Sequence, residues 1–349
     1  HRGLSEVANY DIHQMIGRAG RPKYYPCGDA YILVPESEKE IWVKKLKTKH
    51  PIRSTLLDFV GKAEAPHYKT LAFHIVAEIH QGNVTTKEAF HKWFSRSLAH
   101  HQEQGFNDTV IDRTLDLLQQ FKAIVKNAEG TFECTSVGKV ASMFYFSPFD
   151  ASDLRRNFNL LFTDKRDNDD VSISMALGNV DSFRWGIVNR AEREAISRYQ
   201  SLVEKLYGKG KYTDAAIKAG CVYFLMLKGK KEVPVLQGFM HQVMADMDRS
   251  FQVLYAIDSM SGKWDRTAWF RTLGLRLKYG VDKELVSLVQ IPNVGQARAK
   301  KLKLKKINTL EEFIGYDAKE LATMMKCSLK LAEEALAGAK EIKLKESIS

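Results

Sequence analysis

Positions 14 to 22 read Gln-Met-Ile-Gly-Arg-Ala-Gly-Arg-Pro, a short run holding an amide, two guanidinium groups and two glycines. Guanidinium groups fork onto phosphate oxygens and offset charge that develops on a transferring phosphoryl group. If Asn9 caps a helix from Tyr10 to about Arg21, then Gln14, Arg18 and Arg21 fall at i, i+4 and i+7 on one polar stripe. Gly17 and Gly20 would each cost roughly 1 kcal/mol relative to alanine in that helix, so they imply another surface approaching the backbone closely. Pro22 then ends the helix.

Other chemistries find little support. His74 and His80, and the group His91, His100 and His101, lack the H-E-x-x-H spacing of a zinc site. Cys27, Cys134, Cys221 and Cys327 stand far apart with no C-x-x-C pair, and read as buried thiols of a reducing compartment. No metal site is expected. Neither a G-x-x-x-x-G-K-[ST] loop nor a D-E-x-H box occurs, so the arginines have no triphosphate cradle within the sequence.

The elements that must position these residues follow from length and pattern. At about 150 residues per domain, 349 residues predict several packed units. Hydrophobic content of 44% and charged content of 27% suit a globular chain, and no apolar run approaches a membrane span. A net charge of +11 favours a polyanionic partner, nucleic acid first. Residues 1–48 read as helix, buried strand (Gly28 to Pro35) and helix (Ser37 to Lys47). One strand cannot close a sheet, so this stretch reads as the tail of a larger α/β domain whose other strands precede His1.

Residues 49–146 show helical periodicity at Tyr68–Ile79, Ala89–Leu98 and Val110–Phe121. A hairpin pattern follows from Ala123 to Cys134 around an Asn-Ala-Glu-Gly turn. Three helices, a ribbon and a further helix predict a winged helix. Arg113 and Lys122 would suit a nucleic-acid reader, but Asp108, Asp112 and Asp116 on the same helix would repel phosphate, which favours a scaffolding role. Residues 147–280 read as purely helical. Their helix from Gly238 to Ser259 sets Met240, Val243, Met244, Met247, Phe251, Leu254 and Tyr255 on an apolar face, opposite Gln242, Asp246, Arg249, Gln252 and Ala256. Residues 281–349 carry Ile291-Pro-Asn-Val-Gly295 between short helices, then Arg298, Lys300, Lys301, Lys303, Lys305 and Lys306. Turn amides at a helix N-terminus suit phosphate, so Val294, Gly295 and these cations are candidate nucleic-acid contacts.

The Gln14–Pro22 run resembles motif VI of superfamily 2 helicases, Q-x-x-G-R-x-G-R, and its fuller form resembles the Ski-like branch. The order that follows is similar to the archaeal helicase 308 family and its relatives helicase Q and the polymerase theta helicase. The resemblance implies a multidomain, mainly α fold: the end of a second RecA-like domain (1–48), a winged helix (49–146), a helical ratchet bundle (147–280) and a helix-hairpin-helix domain (281–349). It implies that Arg18 and Arg21 act as arginine fingers with Gln14, Gly17 and Gly20 at the same nucleotide cleft. It further implies ATP with Mg²⁺ as cofactors, held mainly by segments this sequence lacks. The partners implied are single-stranded and forked DNA in replication-coupled repair, with 3′ to 5′ translocation by a monomeric intracellular protein.

By the same resemblance the Gly238–Ser259 helix is a ratchet helix on which Asp246 and Arg249 match DNA-facing positions and Gln252 shares their face. The family's base-stacking Trp falls at Ala256, with Tyr255 one position earlier. Ile291–Leu302 resembles the helix-hairpin-helix pattern h-P-G-h-G-x-x-x-A-x-x-L, with Asn293 in place of the first glycine. A degenerate second copy, Asp317–Met325 and Leu329–Ile342, lacks a turn glycine and is expected to support the fold. A non-catalytic DNA clamp and an RNA-directed Ski-like helicase remain the alternatives.

Overall fold

The computed structural model describes residues 9–20, 23, 27–48, 52–230, 233–262 and 264–348. The N-terminal stretch holds α1 (Asn9–Ile16) and α2 (Lys39–Lys47). Helix α1 stops well short of the expected Arg21. After Gly17 the bonds tighten to three-residue spacing, from Arg18 N to Met15 O (3.1 Å) and Ala19 N to Ile16 O (2.9 Å). The chain then turns at Gly20, whose φ is +82°. Asn9 is not the cap of its own helix. Its Nδ2 donates to the carbonyls of Lys45 and Thr48, both at 2.8 Å, and so closes the C-terminal end of α2.

The buried strand expected at Gly28–Pro35 is absent. Tyr31 is 86% and Leu33 98% exposed, and no described residue pairs with this segment. An apolar alternation forms a strand only when a neighbour supplies the ladder. The two glycines at the bend do meet a close neighbour: a Cβ added to Gly28 would lie 2.3 Å from Gly20 N.

Next come α3 (Lys69–His80), α4 (Lys87–Phe94), α5 (Leu98–His101) and α6 (Asp108–Gln120). Thr86, Ser97 and Asn107 cap the last three by accepting from backbone amides. The antiparallel ribbon β1 (Ile124–Lys126) and β2 (Phe132–Cys134) pairs Ile124 with Cys134, in keeping with the expected hairpin, and leads into α7 (Ser136–Met143).

The purely helical stretch comprises α8 (Pro148–Thr163), α9 (Asp170–Gly178), α10 (Asp181–Arg184), α11 (Arg190–Tyr207), α12 (Asp214–Leu227), α13 (Gln237–Ser261) and α14 (Thr267–Tyr279). Helix α9 is buried from Val171 to Gly178 and lies directly on α12. The two backbones touch where a Cβ on Gly178 would sit 2.3 Å from Gly220 N, so both glycines are needed. The hydroxyls that enter this core are paired, Ser174 with Tyr199 at 2.7 Å and Ser172 with Tyr207 at 2.7 Å. Of the four cysteines only Cys221 is buried; Cys134 and Cys327 are half-buried and Cys27 is exposed, which corrects the expectation of four buried thiols.

The chain closes with α15 (Val286–Val289), α16 (Gln296–Leu304), α17 (Leu310–Ile314), α18 (Ala318–Met325) and α19 (Leu329–Ile348). One continuous apolar core runs from Leu71 to Leu277, and a second runs from Val281 to Ala339. Helix α14 joins them, sending Phe270, Leu273 and Leu277 into the first and Leu275 and Tyr279 toward the second.

Candidate nucleic-acid interface

Gln14 and Arg18 lie at the exposed N-terminal edge, Gln14 on the last turn of α1 and Arg18 on the tighter turn beyond it. Gly17 continues the helix ladder by donating to His13 O at 2.9 Å, and Gly20 makes the bend against Gly28. Arg21 and Pro22 lie outside the described residues, so the expected three-residue stripe is described only as far as Arg18. An exposed amide and guanidinium on a turn can complete a phosphate site whose cradle is supplied by another segment; alone they do not enclose one.

Helix α13 is positioned by burial along one side and by its ends. Met240, Val243, Met247, Phe251 and Leu254 enter the main core, while Met244 is 39% exposed and leaves the expected stripe. The helix closes at Gly262, in the left-handed region at φ +56°. Buried Asp258 then accepts from Arg266 N (2.8 Å) and Thr267 Oγ1 (3.1 Å), fixing the approach to α14. Gln242, Asp246, Arg249 and Gln252 are exposed together on the outer side, with Asp248 beside them. Arg249 has no ion-pair partner among the described residues, so its guanidinium is available to solvent. Tyr255 is half-buried, its ring 6.3 Å from both Phe251 and Phe270, and burial raises its hydroxyl above the ordinary tyrosine range. Ala256 is half-buried beside it.

Buried acids tie α8 and α10 to one another and to α3, among the elements that precede this helix. Lys69 on α3 reaches Asp181 on α10 at 2.5 Å, and Arg184 and Arg156 both pair with fully buried Asp153 on α8. Asp150 accepts from Ser182 N at 2.9 Å, and burial pushes its carboxyl up to about 6. Helices α3, α7, α8 and α13 pack into one continuous apolar core.

The turn before α16 has the expected geometry. Asn293 adopts φ +65°, the position where the pattern has glycine, and Val294 N donates to Ile291 O at 3.0 Å. Val294 is buried as a whole residue, and its N–H is already engaged by Ile291 O. Gly295 begins α16 with no side-chain cap, and a Cβ there would meet nothing within 4 Å, leaving the first-turn amides open.

The surrounding cations divide. Arg298 folds back onto Asn293 O (2.5 Å), Lys301 donates to Met325 O (3.2 Å), and Lys303 pairs with Glu284 (2.9 Å). That bond raises the Lys303 ammonium and lowers the Glu284 carboxyl from their ordinary values. Lys300, Lys305 and Lys306 are exposed and unpaired among the described residues. Glu284 lies next to the acid-free run in sequence, but only the fold brings it back over Lys303.

Sequence reasoning missed the junction that holds this turn to the bundle. Gln296 Nε2 donates to Gly280 O at 2.6 Å and to Gly229 O at 3.4 Å. Gly229 and Gly280 both have positive φ, and a Cβ on Gly280 would lie 2.5 Å from Gly229 Cα. Gly280 falls at the end of the stretch expected to be helical, where it closes α14 after Tyr279.

No family model matches the chain. It is 24% identical over 350 residues to the ATP-dependent DNA helicase Hel308 of Thermoplasma volcanium, covering 97% of this chain and 48% of that protein. The helicase Hel308 of Thermococcus kodakarensis is 23% identical across 95% of this chain and 30% of its own length. Activating signal cointegrator 1 complex subunit 3 of Dictyostelium discoideum is 27% identical across 72% of this chain and 11% of its own length. The chain thus spans half or less of these relatives. By its Gln14–Pro22 motif and by similarity along nearly its whole length, the chain resembles the C-terminal part of a Ski-like superfamily 2 helicase, of the archaeal helicase 308 kind.

Proposed function

We propose that the chain is the DNA-handling portion of an ATP-dependent helicase that moves 3′ to 5′ on single-stranded DNA and opens forked DNA. Residues 49–146 form a winged helix that braces the motor, 147–280 a ratchet bundle, and 281–349 a helix-hairpin-helix domain that holds the exiting strand. The observation that carries this reading is α13: a 25-residue helix whose inner side is buried in the main core while its outer side offers Arg249, Gln242 and Gln252 to solvent with no partner among the described residues. Such a helix can pass motion to a strand lying along it, because it packs directly against α7 and α8.

Arg18, with Gln14, would face nucleotide from the exposed N-terminal edge, beside Gly17 and Gly20, and Arg21, outside the described residues, would serve as the second arginine finger. ATP with Mg²⁺ would supply the free energy when bound by the preceding motor segments. Asp246, Gln252 and Tyr255 complete the α13 contact set. Gly295 and the first turn of α16, seated on buried Val294, form the terminal grip with Arg298, Lys300, Lys301 and Lys303. The exposed Lys300, Lys305 and Lys306 make that grip electrostatic, so it responds to salt. The protein is intracellular and acts as a monomer. Among the described residues no helix is long and apolar enough to cross a membrane.

Salt titration of single-stranded DNA binding tests the grip. Lys300→Ala with Lys305→Ala is expected to reduce the logarithmic salt slope by about 1.4, at about 0.7 per lost phosphate contact. An unchanged slope removes these residues from the interface. Matched RNA and forked DNA competitors decide the substrate: preference for RNA overturns the DNA assignment.

A further inference from the structure

A cavity of about 330 Å³ lies where the end of α6, the outer face of α8 and the α13–α14 loop converge, away from the exposed side of α13 and from α16. Its size falls at the lower end of the roughly 300–1,000 Å³ typical of small-ligand sites. Three cations line it, Lys122, Arg155 and Arg156, and no carboxylate does. Arg156 shares Asp153 with Arg184, whereas Lys122 and Arg155 pair with no acid among the described residues. Like charges gathered on one wall repel one another unless an anion enters between them. The cavity between α9 and α14 contrasts with this one, because it places Asp167, Asp170, Asp282 and Glu284 beside Arg276 and Lys283 and would reject phosphate.

Flat apolar surface borders the cations. Trp264 lines the cavity and is held by the aromatic cluster beneath it, its ring 5.6 Å from Phe162 and 5.9 Å from Phe270. Its indole N–H is shut from solvent with no acceptor among the described residues, an arrangement that costs roughly 1–3 kcal/mol. A small rotation toward an acceptor in the cavity would relieve that cost. Gln120 and Asn159 add amides that both donate and accept, as the edge of a base requires.

We infer that this cavity binds one nucleotide unit, its phosphate on Arg155 and Lys122 and its base against Trp264. The unit comes either from a nucleic-acid strand or from a free mononucleotide, and the inference holds whether or not the chain serves a helicase.

A thymidine oligonucleotide carrying 5-iododeoxyuridine, photo-crosslinked to the unaltered protein and mapped by mass spectrometry, reads the site without any substitution. Adducts on Trp264 or Phe121 are expected. In parallel, Arg155→Ala with Lys122→Ala is expected to weaken the ligand that uses the cavity by about tenfold or more, the scale of a lost charge-assisted hydrogen bond. Arg155→Lys should restore part of the loss. Weakened oligonucleotide binding identifies a strand, and weakened dTMP or ATP binding alone identifies a free nucleotide. Unchanged affinity for all three probes, with no adduct at either aromatic residue, overturns the inference.

Discussion

The N-terminal stretch and the main core obey the same physical rules with opposite results. Around Phe158 and Phe270 every large apolar side chain finds partners, and the two rings lie 5.2 Å apart with both residues fully buried. Around Tyr31 and Leu33 an equally apolar pattern stays in solvent. The first region buries its surface with residues of this chain, whereas the second leaves its apolar side chains uncovered by any described residue. The contrast divides a packed core from an exposed N-terminal edge, and Gln14 and Arg18 sit on that edge.

The sharpest way to break the comparison is to truncate one side chain in each region. Phe158→Ala should cost about 3–5 kcal/mol in denaturant unfolding, since it opens a cavity in the aromatic cluster. Leu33→Ala should change stability by less than about 0.5 kcal/mol. Comparable losses at both positions would mean that the N-terminal stretch is packed after all.

The frame between these extremes responds to pH. Burial lifts Asp150 from an ordinary 3.8 to about 6, so between those values the folded chain holds this proton more tightly than the unfolded one. Its contribution to stability is therefore fully present below about pH 4 and is lost as pH rises through about 6. Asp150→Asn keeps an acceptor for Ser182 N and removes the buried charge. The variant should gain up to about 3 kcal/mol above pH 6 at 1.36 kcal/mol per unit, with the gain vanishing near pH 4. Thermal melts of both proteins across that range check it, and a gain independent of pH would contradict the buried-charge explanation.

Much of this organisation was legible before the fold was known, wherever local pattern and tertiary packing agree. The inward stripe of α13 and the Ala123–Cys134 hairpin follow from periodicity and turn chemistry alone. Helix α9 is buried on every side, with Ser172 and Ser174 among its apolar residues, so periodicity could not orient it, and the Gly178–Gly220 contact that seats it joins residues far apart in sequence. Gly28–Pro35 failed for the converse reason, because its pattern carries strand propensity without a partner. Asn9 looked like a local cap and instead serves α2, an outcome no neighbouring residue signals. In the candidate site, the turn at Asn293 was readable from residue types. The pairing of Lys303 with Glu284 and the convergence of Lys122, Arg155 and Trp264 depend on contacts across elements.

The most direct test concerns the exposed edge itself. DNA-stimulated ATP turnover of the full-length protein should be abolished by Arg18→Ala and by Arg21→Ala, while single-stranded DNA affinity stays unchanged. Turnover at the unaltered rate in both variants would contradict the claim that this edge completes a nucleotide site.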